Sequence, residues 1–110
     1  MRLHALDAWV RDDAVLTDLD RVRRILRAAA VGGGATVLAE KFCAFPNGGV
    51  TGVLVLAQSH LSIHTWPEFS LANVDLLSYG ALRGEDVLEA ICAELDVERM
   101  TMTCIPRAIG

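Results

Sequence analysis

VTGVLVLAQSHLSIHTWPEF, residues 50–69, places an apolar strand directly against a run of reactive side chains. Residues 50–57 are rich in β-branched and aliphatic side chains and read as a buried strand. The turn-like Pro46-Asn47-Gly48-Gly49 precedes them, and before it residues 35–43 (ATVLAEKFC) read as a neighbouring strand. Downstream, a short extended piece from Leu61 to Thr65 leads into Trp66-Pro67, and residues 73–79 (NVDLLSY) form another strand candidate.

Working outward, residues 3–10 (LHALDAWV) read as a strand. Thr17-Asp18-Leu19-Asp20 has the form of a helix start, and the helix runs to about Val31. Gly32-Gly33-Gly34 ends it. No Gly-Lys-Ser/Thr follows and the triplet comes after a helix, so it reads as a C-cap and turn rather than a phosphate loop. A second helix at about 85–95 carries Val87, Leu88, Ile91 and Leu95 on one face. Met100, Met102 and Cys104 alternate with threonines in a last strand. The order β-α-β-β-β-β-α-β, without internal linkers, predicts one domain over 1–110. Its class is α+β, a two-layer sandwich with a mostly antiparallel sheet and two helices on one face.

The 110 residues are 53% hydrophobic with a mean hydropathy of +0.38. That apolar excess and a sheet with one uncovered face favour self-association. No apolar run approaches the roughly 18 residues that span a bilayer, and the first residues lack a signal-peptide stretch, so a cytoplasmic location is expected. A net charge of −4 argues against nucleic acid as the main ligand. Arg21, Arg24 and Arg27 form a helical stripe that reads as a solvated face, with an anion or RNA patch as the alternative. Cys43, Cys92 and Cys104 form no CxxC pair and read as free thiols.

The dense stretch is Gln58 to Glu68, with two serines, two histidines, a tryptophan and a glutamate. A serine hydrolase would place its nucleophile in a Gly-rich elbow, which is missing. A metal site on His60 and His64 would need helical spacing and a third ligand, so none is expected. From spacing alone the segment reads equally as a functional site or as edge, turn and packing residues.

The block Ser59-His60-Leu61-Ser62-Ile63-His64-Thr65-Trp66-Pro67-Glu68 resembles the signature of prokaryotic S-adenosylmethionine decarboxylases. The likeness continues through Leu71-Ala72-Asn73-Val74-Asp75-Leu76 and upstream through Phe42, Phe45 and Gly49-Val50-Thr51-Gly52-Val53. It covers most of the chain. The resemblance implies a proenzyme that cleaves itself between Gln58 and Ser59, giving a β chain 1–58 and an α chain 59–110. The Ser59 hydroxyl would attack the preceding carbonyl, an acyl shift would give an ester, and β-elimination and hydrolysis would leave a pyruvoyl group and ammonia. That covalent cofactor would take up the substrate amine and act as the electron sink for loss of carbon dioxide. His64 would move protons during processing, and Thr51, in place of a family serine implicated in processing, would keep a hydroxyl for hydrogen bonding. Phe45 and Trp66 would contact the adenosyl group, and Glu68 the ribose hydroxyls. The product would serve spermidine synthesis. A homodimer is implied, with Phe45 of one subunit near Trp66–Glu68 of the other.

Two residues depart from the family pattern. Gln58 replaces the usual Glu before the cleavage point, where it leaves as a carboxylate whatever its side chain. Ser78-Tyr79-Gly80 replaces Thr-Cys-Gly, whose cysteine reprotonates the product, so Tyr79 stands as the candidate acid. Its reference pKa near 10 and longer reach make it no simple replacement. The alternatives are a decarboxylase of ornithine or arginine, and a non-catalytic paralogue that binds a true decarboxylase.

Overall fold

The computed structural model describes residues 1–109. Six strands and two helices follow one another as β1 (Arg2–Val10), α1 (Leu19–Gly32), β2 (Val37–Ala44), β3 (Val50–Leu56), β4 (Ser59–Trp66), β5 (Leu71–Ser78), α2 (Gly84–Leu95) and β6 (Val97–Pro106). The strands form one sheet in the order β2-β3-β4-β5-β1-β6, and every neighbouring pair is antiparallel. The two-layer α+β sandwich expected from the sequence is therefore the observed architecture.

Strand alternation sets the two faces. Leu6, Ala8 and Val10 of β1, Val50, Leu54 and Leu56 of β3, Leu61 and Ile63 of β4, and Ala72, Val74 and Leu76 of β5 are all buried. They pack with Val22, Ile25, Leu26 and Ala29 of α1 and Val87, Leu88, Ile91 and Leu95 of α2. Gly52 shares this face because Phe42, its partner across β2–β3, lies over it. A Cβ there would stand 2.0 Å from the Phe42 ring. The residues of opposite parity, among them Thr51, Val53, Val55, Ser62, His64, Asn73 and Asp75, form the other face. There Val53 and Val55 are 37% and 46% exposed.

Three details differ from the sequence expectation. The second of the central strands is a full eight residues, Ser59–Trp66, and not the short piece 61–65. Its polar beginning pairs with Leu56 and Val55 across a two-residue hairpin at Ala57-Gln58. The first helix is entered through a 3-10 turn, Asp13–Thr17, and Asp18 caps it by accepting from the Arg21 N–H. The arginine stripe is only partly solvated. Arg27 donates to Glu40 of β2 at 2.8 Å beside the bidentate Arg23–Glu40 pair, which ties α1 to the sheet edge. No helix among the described residues is long and apolar enough to cross a membrane.

Candidate active site

The predicted site residues fall into two groups at opposite ends of β4. At the first end, Ser59 opens the strand immediately after the hairpin. Its hydroxyl donates to the Leu77 carbonyl of β5. Gln58, the residue before it, takes a left-handed backbone with φ 62°. For a residue with a Cβ this costs roughly 1 kcal/mol. Ser70 and Asp96 share that conformation, but only Gln58 adjoins the expected scissile bond. Tyr79 lies just past the end of β5 and is 40% exposed. With Ser78, Gly80, His4, Arg2 and Arg83 it lines an open cleft of about 700 Å³.

At the other end, Thr51 and His64 are directly opposed across β3–β4, and the Thr51 Oγ1 and His64 Nδ1 atoms are 2.6 Å apart. Aromatic rings lie beside this pair. The Trp66 ring centroid is 4.2 Å from that of His64, and the Phe45 centroid is 5.9 Å from it. Trp66 Nε1–H donates to Asn73 Oδ1 at 2.6 Å, and Asn73 Nδ2–H donates to Asp7 Oδ1 at 2.7 Å. Glu68, in the turn after β4, accepts from Asn47 Nδ2 at 2.9 Å.

A rise of about 3.3 Å per residue puts Ser59 and His64 roughly 16 Å apart. One chain therefore joins Phe45, Thr51, His64, Trp66 and Glu68, and keeps Ser59, Gln58 and Tyr79 apart from them. The 45–49 turn and the 66–69 turn are neighbours within the chain, bridged by Asn47.

Sequence reasoning missed three contributors. Asn73 and Asp7 fix the indole of Trp66. Both lie on the open face by strand parity, but pairing β5 with β1 is a long-range fact that local alternation does not carry. The third is His4, only 3% exposed, with Nε2 3.1 Å from Ser78 Oγ. Burial pushes its pKa below the usual 6.5, against a raising influence of Glu85, while Arg2 adds to the lowering. Its inward parity with Leu6, Ala8 and Val10 was the available signal. Among the described residues, no three His, Cys, Asp or Glu side chains cluster as metal ligands would.

The profile of the family described as S-adenosylmethionine decarboxylase matches residues 2–108. The chain is 37% identical over 99 residues to the S-adenosylmethionine decarboxylase proenzyme of Caldanaerobacter subterraneus subsp. tengcongensis, covering 89% of this chain and 80% of that one. Against the proenzyme of the same description from Methanococcus maripaludis the figures are 36% over 105 residues, 94% and 86%. The crystal structure of the adenosylmethionine decarboxylase from Aquifex aeolicus superposes with a TM-score of 0.88 at 29% identity. That match covers 100% of this chain and 92% of the other.

Proposed function

The chain belongs to the S-adenosylmethionine decarboxylase family, and on that premise we propose that it is a self-cleaving proenzyme whose mature form decarboxylates S-adenosylmethionine for polyamine synthesis. The observation that carries the reading is the arrangement along β4. A serine hydroxyl sits behind a left-handed residue at one end, and a hydroxyl–imidazole pair beside two aromatic rings sits at the other.

Cleavage falls between Gln58 and Ser59. The Ser59 oxygen attacks the Gln58 carbonyl, the peptide becomes an ester, and elimination releases Gln58 as a carboxylate. Hydrolysis of the remaining dehydroalanine consumes water and releases ammonia. The pyruvoyl group so formed supplies an electron sink for the departing carboxylate's bonding pair. The residues fit that group. Ser59 is half-buried and bonded to Leu77, the residue before the Ser78–Tyr79 lining of the cleft. His64, held by Thr51, moves protons during processing. Phe45 and Trp66 offer ring faces to the adenine and the sulfonium, and Glu68 offers a carboxylate to the ribose hydroxyls. The Asp7–Asn73 chain keeps the Trp66 ring from turning. Tyr79 stands where a proton is returned to the product.

A proton cannot pass over roughly 16 Å in one step, so the two groups must be joined by a second copy. A twofold axis across β4 stacks two open sheet faces and brings the Ala57–Ser59 hairpin end of each chain over the His64 end of its partner. The Ser59 hydroxyl, which shares the parity of Leu61 and Ile63, is reached around that strand end. Each composite site then takes Ser59 and Tyr79 from one chain and Phe45, Thr51, His64, Trp66 and Glu68 from the other. The exposed Val53 and Val55 are the apolar surface such a homodimer covers. The relatives named above favour S-adenosylmethionine over ornithine or arginine, and an enzyme over a non-catalytic paralogue. A denaturing gel with intact masses tests processing, and a panel of the three amino-acid substrates tests specificity. A chain that stays whole, or one that consumes ornithine or arginine and ignores S-adenosylmethionine, overturns the reading.

A further inference from the structure

We propose that His4 is a positioning residue for the Ser59 end of the site and that it acts through Ser78. The inference rests on the proposed self-cleavage and adds to it a residue from β1, outside the motif block. His4 points into the core with the aliphatic residues of its strand, and its Nδ1 is buried without a hydrogen-bond partner. A leucine in that place would avoid the desolvation of two ring nitrogens, so packing alone gives no reason for an imidazole.

What the imidazole does is hold Ser78. The Ser78 hydroxyl has one proton, and the Arg2 carbonyl lies 3.4 Å from it as an acceptor. We assign the Nε2–H tautomer, in which the hydroxyl accepts from His4 at 3.1 Å and Nδ1 is left as a buried lone pair, because the other tautomer would bury an unpartnered Nδ1–H donor. Space for this bond is kept by Gly84 at the start of α2, where a Cβ would stand 2.8 Å from Nε2. The imidazole is thus clasped between β5 and the first turn of α2.

Ser78 is the last residue of β5 and lies between two groups that matter. Leu77 before it offers the carbonyl that accepts the Ser59 hydroxyl, and Tyr79 after it is the candidate acid. The β4–β5 ladder pairs His60 with Leu77, so one step further Ser59 stands opposite Ser78. Beyond Ser78 the chain turns through Gly80 at φ 64° and leaves the sheet. Arg2↔Ser78 is the last pair of the β1–β5 ladder, and a strand end held by that pair alone frays, so the nucleophile and the acid lose their fixed relation. His4 supplies the anchor from the neighbouring strand.

The test uses the full chain and follows self-cleavage after synthesis together with thermal unfolding. His4→Leu should fold with an unfolding temperature equal to or above that of wild type, yet cleave about tenfold more slowly, the rate factor carried by one positioning hydrogen bond. His4→Gln, whose amide N–H can reach Ser78, should recover most of the rate. Ser78→Ala removes the same bond from the other side and should lose the same factor. The double variant should be no slower than either single, because both delete one interaction. Wild-type cleavage rates in His4→Leu, or losses that multiply in the double variant, overturn the proposal. Should His4→Leu fail to fold, Ser78→Ala and His4→Gln decide it, and normal cleavage in Ser78→Ala overturns it. A wild-type chain that stays whole refutes the self-cleavage reading itself; a wild type that cleaves beside equally fast variants refutes only the role of His4.

Discussion

Mixing two inactive chains gives the most direct measure of how the site is assembled. Ser59→Ala removes the nucleophile, and His64→Ala removes the imidazole paired with Thr51. Proton transfer needs heavy atoms within about 3 Å, and five residues of β4 set Ser59 and His64 roughly 16 Å apart. Each variant alone should therefore remain uncleaved. In a twofold dimer, however, a heterodimer of the two variants contains one complete site. It combines Ser59 from the His64→Ala chain with His64 from the Ser59→Ala chain. The second site of that heterodimer lacks both groups. Random pairing of equal amounts makes about half of the dimers mixed, so about half of the His64→Ala chains and none of the Ser59→Ala chains should be cut. Co-expression with tags of different mass, followed by a denaturing gel and mass spectrometry, reads both fractions. No cleavage in the mixture, with wild type cleaving under the same conditions, refutes the composite site. Normal cleavage of His64→Ala by itself refutes the role given to the imidazole.

Maturation should give fragments 1–58 and 59–110, the second blocked by pyruvoyl, and Ser59→Ala should stay whole; an ordinary amino-terminal serine on fragment 59–110 would mean proteolysis. Tyr79→Phe should cleave normally but lose about 100-fold in decarboxylation, the order expected for a missing general acid, and Tyr79→Cys should regain it. Unchanged turnover in Tyr79→Phe would move the proton source to Cys43, which lies opposite Thr51, to Cys104, opposite His4, or to water. The buried His4 binds its proton less readily when folded than when unfolded, with Glu85 opposing and Arg2 reinforcing that shift. Stability should therefore be full above the ordinary 6.5 and fall as the pH drops through the folded value. Thermal unfolding of the uncleaved Ser59→Ala chain between pH 7.5 and 5 measures this, and adding His4→Leu should flatten that part of the profile. An unchanged slope would place the acid sensitivity elsewhere.

The architecture was legible because its signals are local. The β-branched and aliphatic run of residues 50–57, helical spacing in Val87, Leu88, Ile91 and Leu95, and the glycines after α1 each fix an element from neighbours in sequence. The start of β4 was not legible. Gln58-Ser59-His60 is polar, and Ala57-Gln58 lacks the Asn-Gly or Gly that marks a two-residue hairpin, so the stretch reads as loop. Only the β3–β4 register shows that Ser59 pairs with Leu56 and that Thr51 faces His64. The same limit hid Asp7 and His4, whose partners lie 66 and 74 residues away.

The spacing inside the block carries a further lesson about the chemistry. On a helix, five residues rise about 7.5 Å, and two reactive side chains so placed can belong to one site. On a strand the same five residues span about 16 Å, and under the proposed twofold arrangement the block becomes the near end of one site and the far end of another. Density of reactive residues in sequence then reflects two half-sites on one rigid rod. If Ser59 is cut only when a partner's imidazole lies over it, the unpaired proenzyme is inert, and cleavage at low protein concentration should depend on the rate at which chains meet. Dilution of newly folded proenzyme should slow cleavage more steeply than a first-order process allows. First-order kinetics unaffected by dilution through the dimer dissociation range would mean that one chain completes the reaction alone.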